Sequence, residues 1–324
     1  MIHPHGPLVI SGPDLSPSKE PVLSPSKELV QPLWACIICF QVQAASLKPL
    51  VDALRDQVDK ILLLDNSSEW EGDIAALANA QVIYLPMAFN RGTAGAMNQA
   101  WELALAEGAT AMLSLDQDSL PAVGMVVQLT SALSGLQQGG LRPAAVGPGK
   151  IDPRNSKPFR LLQPVLPGFR HVSACSGPTV EVDHLITSGC LISAEMYQAV
   201  GPFREELFLD YVDIEWSLRA RSLGYSLYTD PRTTMAHTIG DQVIQIAGRS
   251  LPVHKPLRGY LLVRNHLLLW RLPSTRLYWL LRDLRQVLLK VTLLLALRPN
   301  RLERLRCIIK GVWHGLRNRG GPPG

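Results

Sequence analysis

The sequence predicts an α/β fold in which a parallel sheet is covered by helices and followed by a helical extension. From residue 33 onward, short apolar runs alternate with amphipathic stretches of helical period, the pattern of strands joined by helical crossovers. The strand-like runs end in polar clusters. Beyond residue 255 the alternation gives way to helical stretches of Leu, Trp and Tyr interleaved with Arg. At 324 residues, 47% hydrophobic and 18% charged, the chain is long and apolar enough for a full core, so disorder is excluded as its general state.

The elements follow in order. Residues 1–31 are rich in Pro and Ser and repeat Ser16-Pro-Ser-Lys-Glu20 as Ser24-Pro-Ser-Lys-Glu28, which reads as a disordered leader. Residues 32–255 form the catalytic unit: strand 33–40, helix 46–57, strand 60–65, a short helix near 73–79, strand 81–85, helix 93–106 and strand 111–115. Residues 256–324 form a basic amphipathic region of three helices, 256–271, 276–297 and 300–317, divided by Pro273-Ser274 and Pro299-Asn300. The five cysteines are odd in number and lack metal-site spacing, and the start of the chain lacks a signal peptide's pattern; a reducing cytoplasm is expected. Cys36 and Cys39 form a C-x-x-C inside an apolar run and read as buried strand residues.

In open sheets of this kind ligands sit beyond the carboxyl ends of the strands. The second strand runs into Asp65-Asn-Ser-Ser68, the third leads to Asn90-Arg-Gly92 and on to Asn98, and the fourth ends in Asp116-Gln-Asp-Ser119. Singly these are an ordinary turn, a loop entering a helix and a capped helix start. Together, on consecutive strand ends, they converge on one crevice and point to a nucleotide site. A bound diphosphate brings a divalent ion, Mg or Mn, which takes one or two carboxylates plus phosphate oxygens. Asp116 and Asp118 can address one such ion. Asp65 is placed for a base or ribose hydroxyl, Arg91 supplies a cation and Gly92 allows close backbone approach.

The ordered set of Asp65-Asn-Ser-Ser68, Asn90-Arg-Gly92 with Asn98, Asp116-Gln-Asp-Ser119, Thr187-Ser-Gly-Cys190 and Asp210-Tyr-Val-Asp-Ile-Glu-Trp216 resembles family 2 glycosyltransferases, in their rhamnosyltransferase-like branch, over roughly residues 33–271. The resemblance implies a GT-A type, Rossmann-like mixed sheet flanked by helices, and inverting transfer. It makes Asp65 and Asn66 donor contacts, with Asn90, Arg91, Gly92 and Asn98 on the same side. Asp116 and Asp118 become the metal-binding D-x-D with His237 as a further ligand, and Asp213 becomes the catalytic base. Ser188, Gly189, Asp210 and Glu215 would line or hold the acceptor, and Arg258, Tyr260, Arg264 and Asn265 would lie near donor phosphates or acceptor. Phe40-Gln-Val-Gln43 stands where family members commonly carry Tyr-Asn-Pro, and the Gln-x-x-Arg-Trp motif of processive relatives is missing, which implies one sugar per acceptor.

Read from residues alone, Asp213 opens a helix over Ile214–Ser222, where the dipole would keep it ionised, and an ordinary N-cap is equally open. Thr187-Ser-Gly-Cys190 could be a strand with a bulge, and a lone His237 could be a core histidine. The net charge of +5 and sequence pI of about 9.0 suit anionic partners. The surplus is C-terminal: after residue 255 the only acids are Asp283 and Glu303. The most apolar stretch there, Val287–Leu297, is too short to span a bilayer and contains Lys290. It is expected to lie on the inner face of the cell membrane as a peripheral anchor, with packing onto the catalytic unit as the alternative. The expected partners are dTDP-rhamnose or a UDP-sugar as donor, a lipid-linked saccharide acceptor and the membrane surface, with no nucleic acid. A nucleotidyltransferase would need a Gly-rich phosphate loop after the first strand, and a nucleic-acid binder would leave the strand-end carboxylates without a role.

Overall fold

The computed structural model describes residues 32–67, 72–165, 168–173, 177–238, 242–246, 249–253, 255–297 and 300–323. The leader with its repeat, Ser68 and Cys175 fall outside them. The chain runs β1 (Leu33–Cys39), α1 (Ala44–Leu54), β2 (Lys60–Asp65), β3 (Val82–Pro86), α2 (Gly92–Ala106) and β4 (Ala111–Asp116), with a tight 3-10 turn at Ile74–Leu77. Next come β5 (Leu120–Pro121), α3 (Met125–Gln138), β6 (Pro143–Asp152), β7 (Lys157–Pro158), β8 (Arg160–Pro164), β9 (Phe169–Ser173) and β10 (Val180–Val182). After β11 (Cys190–Ser193) follow α4 (Ala194–Val200), α5 (Val212–Ser222), β12 (Ser226–Ala236), β13 (Gln242–Ile246) and β14 (Arg249–Val253). Helices α6 (Pro256–Leu269), α7 (Leu277–Leu297) and α8 (Arg301–Leu316) complete it.

The central sheet has the order β10-β12-β6-β11-β4-β1-β2-β3, with β5 and β7 paired to β12 and β6. Strands β4, β1, β2 and β3 are mutually parallel, while β11 runs antiparallel between β4 and β6 and makes the sheet mixed. Alternation along each strand sends side chains to opposite faces. Trp34, Cys36, Leu62, Leu64 and Met112 face α2, α4 and α5, whereas Ala35, Ile37, Ile61, Leu63 and Leu113 face α1 and α3. Cys36 and Cys39 are buried strand residues with free thiols. Register then fixes the rim. Cys39 lies opposite Asp65 and Ile38 opposite Asp116, so β1, β2 and β4 end together.

The C-terminal helices share the first of these cores, to which α6 contributes Leu268 and Leu269, and α7 contributes Trp279 and Leu280. Helix α8 lies close on α6 because Gly311 and Gly315 face it: a Cβ at Gly311 would come within 2.6 Å of the Tyr260 carbonyl oxygen. The opposite faces of α7 and α8 stay apolar and open. Leu302, Leu305, Ile309, Val312 and Leu316 recur at helical spacing and are all exposed. Among the described residues no helix is long and apolar enough to cross a membrane. Trp279 is 2% exposed and its Nε1 donates to Asp183 Oδ2 at 3.0 Å. Trp279→Ala should therefore destabilise the whole protein by about 3–5 kcal/mol, measured as a shift in its urea unfolding midpoint. An unchanged midpoint would show that α7 does not belong to the core.

Candidate active site

The parallel strands deliver three carboxylates to one rim. Asp65, at the end of β2, is 6% exposed; its Oδ1 accepts from the Ser67 amide and its Oδ2 from the Tyr84 hydroxyl, both at 3.1 Å. Asp116 ends β4, and Asp118 follows it. His237 follows β12, placed by its backbone N–H donating to Ile151 O at 3.0 Å. Ligand atoms of Asp116, Asp118 and His237 all lie within 4.8 Å of one another. His237 Nε2 is 3.8 Å from Asp116 Oδ2, and Nδ1 is 3.7 Å from Asp118 Oδ1.

This trio has the chemistry of a divalent-cation site. Two carboxylates and an imidazole supply O and N ligands of the kind Mn²⁺ and Mg²⁺ accept. Ser119 Oγ sits 3.1 Å from His237 Nδ1 and 2.5 Å from Ser188 Oγ, a contact that orients the imidazole beside the carboxylates. Burial lowers the His237 pKa, which favours the neutral, ligating ring. Asp116, desolvated and facing Asp118 and Asp213, is pushed up to about 7. A cation would relieve that crowding.

Asp213 stands on α5. The helix begins at Val212 with Tyr211 as its N-cap, so Asp213 is neither the cap nor the residue before the helix, and the ordinary-cap reading is corrected. Its carboxylate accepts from its neighbour's amide, Ile214 N, at 2.8 Å and from Thr187 N at 3.3 Å. Those donors fix the direction of the carboxylate at the start of the helix. Asp213 shares a recess with Thr187, Ser217 and Trp216. Nearby, Asp210 Oδ1 pairs with Arg258 at 2.7 Å, while Asp210 Oδ2 is buried with no hydrogen-bond donor.

Several residues expected to touch substrate also build the frame. Asn66 Nδ2 donates to Asn90 Oδ1 and to Gly92 O at 3.1 Å, and its Oδ1 accepts from Arg91 N at 2.9 Å, so Asn66 and Asn90 shape the loop. One guanidinium nitrogen of Arg91 donates to both carboxylate oxygens of Glu205 at 2.9 Å. Asn98 fixes the following segment through Phe203 N and O at 2.8 and 2.9 Å. Gly92 has φ +67°, and a Cβ there would lie 2.1 Å from Phe208 O. Ser188 is fully buried and accepts from Asp116 N at 3.1 Å, and Gly189 N donates to Ser114 O at 2.7 Å, so both hold the end of β4.

Glu215 and Arg264 are among the most deeply buried of the expected site residues. Glu215 is 0% exposed, with Arg204 and Arg219 on its Oε1 at 3.0 and 2.9 Å. Arg264 is 0% exposed and donates to the carbonyls of Leu207 and Gly321 at 3.2 and 2.6 Å and to Asn265 Oδ1 at 2.8 Å. Asn265 donates to Leu207 O and Asp210 O at 2.7 and 2.6 Å, and Tyr260 is buried against α8.

Other residues of the site carried no usable signal in the sequence. Lys150 on β6 is 5% exposed, close enough to Asp116 and Asp213 to feel both, and burial pulls it down to about 8. Its strand, Gly147-Pro-Gly-Lys150, shows no motif. Gln117, inside the D-x-D, clasps Phe40 through its backbone N and O at 2.7 and 3.2 Å.

Residues 34–139, which carry the Asp65 to Asp118 rim, match the family model for glycosyl transferase family 2. The chain is 29% identical over 290 residues to the dTDP-rhamnosyl transferase RfbF of Shigella flexneri, a match covering 88% of this chain and 95% of that one. Among solved structures it resembles GalNAc-T7 with UDP, GalNAc and Mn²⁺ (TM-score 0.51, 12% identity), over 79% of this chain and about half, 54%, of that one. It also resembles residues 1–349 of S. aureus TarS (TM-score 0.50, 10% identity), over 89% of this chain and 82% of that one. At such identities the structural likeness speaks for the fold, a GT-A type sheet.

Glu215→Gln should lower stability by about 3–5 kcal/mol, because it leaves two arginines facing a neutral group in the interior. Urea unfolding measures this. Unchanged stability with a raised acceptor KM would assign Glu215 to acceptor binding.

Proposed function

We propose that the chain, whose residues 34–139 match the family model for glycosyl transferase family 2, transfers L-rhamnose from dTDP-rhamnose to a lipid-linked or polysaccharide acceptor in cell-surface polysaccharide assembly. The observation that carries the choice of sugar is the likeness to a dTDP-rhamnosyl transferase along nearly the whole of both chains.

Transfer proceeds with inversion, as one displacement at the anomeric carbon. Asp213 takes the proton of the acceptor hydroxyl as that oxygen attacks from the face opposite the leaving diphosphate. The amides of Thr187 and Ile214 aim the carboxylate. Asp65 meets the donor's base or ribose, Lys150 places a cation beside Asp116 and Asp213, and Asp210, paired with Arg258, shapes the acceptor side. Asp116, Asp118 and His237 hold a divalent ion, Mn or Mg, which when bound neutralises charge growing on the leaving phosphate.

Nucleotide diphosphate release from a panel of sugar nucleotides tests the reading. dTDP-rhamnose should support release that EDTA abolishes, and Mn²⁺ should restore it less well below about pH 7, where a proton competes at Asp116. Release from UDP-sugars but not from dTDP-rhamnose would overturn the donor. Activity indifferent to EDTA would overturn the metal.

The apolar stripe on α8 and the exposed Leu281 and Leu288 of α7, edged by exposed Arg285, Lys290 and Arg306, support a peripheral place on the inner membrane face beside a lipid-linked acceptor. The protein should cosediment with vesicles containing anionic lipid and bind several-fold less to neutral ones. Equal absence from both pellets would count against it.

A further inference from the structure

Two residues before Asp213, Tyr211 adopts a left-handed backbone conformation, φ +69° and ψ 3°, and Phe208 also has a positive φ, +66°, with ψ −65°. Bulky side chains keep such conformations only where their surroundings impose them. For the residues around Phe208 the constraint comes from α6, whose Asn265 and Arg264 bind the carbonyls of Leu207 and Asp210. For Tyr211 it comes from α7. The Tyr211 hydroxyl donates to Asp283 Oδ2 at 2.6 Å, and His266 Nδ1 lies 2.7 Å from the same oxygen.

The direction of this chain of bonds is fixed by its far end. Trp270 Nε1 is 2.9 Å from His266 Nε2, and an indole nitrogen only donates. Nε2 is therefore an acceptor, the ring proton sits on Nδ1, and Asp283 receives two donors at one oxygen. The Tyr211 carbonyl in turn accepts from Glu215 N at 2.8 Å, the first bond of the helix that bears Asp213. A carboxylate about seventy residues away in sequence thus clamps the residue that starts α5.

We propose that Asp283 is a positioning residue for glycosyl transfer: through Tyr211 it sets the first turn of α5 and with it the aim of Asp213. The proposal rests on the reading of Asp213 as base. Asp283 touches neither donor nor acceptor in this role, so its loss acts on turnover and leaves donor binding alone.

The test compares Tyr211→Phe, Asp283→Ala and Asp283→Asn with Asp213→Asn in the full chain. It measures kcat and both KM values by nucleotide release, dTDP affinity by calorimetry, and the folded fraction by thermal melting. Tyr211→Phe removes one oxygen and keeps the ring; its kcat per folded molecule should fall roughly 10- to 100-fold, the scale of a misaimed group, with dTDP affinity unchanged. Asp283→Ala should match it, the double variant should be no slower than the slower single, and Asp283→Asn, which still offers an oxygen to both donors, should keep most of the rate. Wild-type kcat in Tyr211→Phe, or losses that multiply in the double variant, would overturn the relay while Asp213→Asn stays inactive. Normal turnover in Asp213→Asn would remove the base assignment itself, and the relay with it.

Discussion

The Phe208 carbonyl oxygen rests against the bare Cα of Gly92, in the space where any other residue would carry a side chain, and accepts from Ala94 N at 3.2 Å. That contact joins the two halves of the site, the loop after β3 on the donor side and the segment 203–213 that leads to Asp213. Around it close the Arg91–Glu205 pair, the bonds of Asn98 to Phe203 and the Asn66 clamp on the loop. Each would be lost if the two backbones were held a side chain's width apart. Glycine is required at 92 twice over, for its positive φ and for its lack of bulk.

The second constraint is charge. Asp116, Asp118 and Asp213 crowd one rim, and Lys150 and Arg258 answer them only in part. Burial at both Asp116 and Lys150 opposes their charged forms, so the rim without a cation is held in an unfavourable state of protonation. Fixed backbone donors at Thr187 and Ile214 do not titrate and keep their direction whatever the carboxylates do. The polar frame is therefore rigid, and the charge balance is left to whatever binds.

Much of the fold was legible because its signals are local. Apolar period and chain-order alternation place β1 to β4 and α2 within a residue or two, and the three C-terminal helices lie where Pro273 and Pro299 divide them. The strand-end carboxylates were legible too, since parallel strands bring their ends to one rim. The division of labour among the polar residues was not. Asn66, Asn98 and Arg264 are the kinds of residue that bind sugars and phosphates, but here they also hydrogen-bond protein groups far away in sequence, and Glu215 is met by Arg204 and Arg219. Lys150 sits in the site because β6 lies two strands from β4, a neighbour relation that no local pattern carries. Trp279 and Asp283 show the same for α7: an amphipathic helix announces an apolar face without saying which surface receives it.

The residues near position 320 reach back into this frame. Gly321 N donates to Glu206 O at 2.7 Å, Gly321 O receives Arg264, and Gly320 packs so closely on Glu206 that a Cβ would come within 2.4 Å. The segment ahead of Asp213 is thus walled in by some of the last residues in the sequence. During synthesis the sheet can assemble as its strands emerge, but this wall is missing until residue 321 has left the ribosome. A nascent chain can therefore have its strand-end rim formed before the segment ahead of Asp213 is settled.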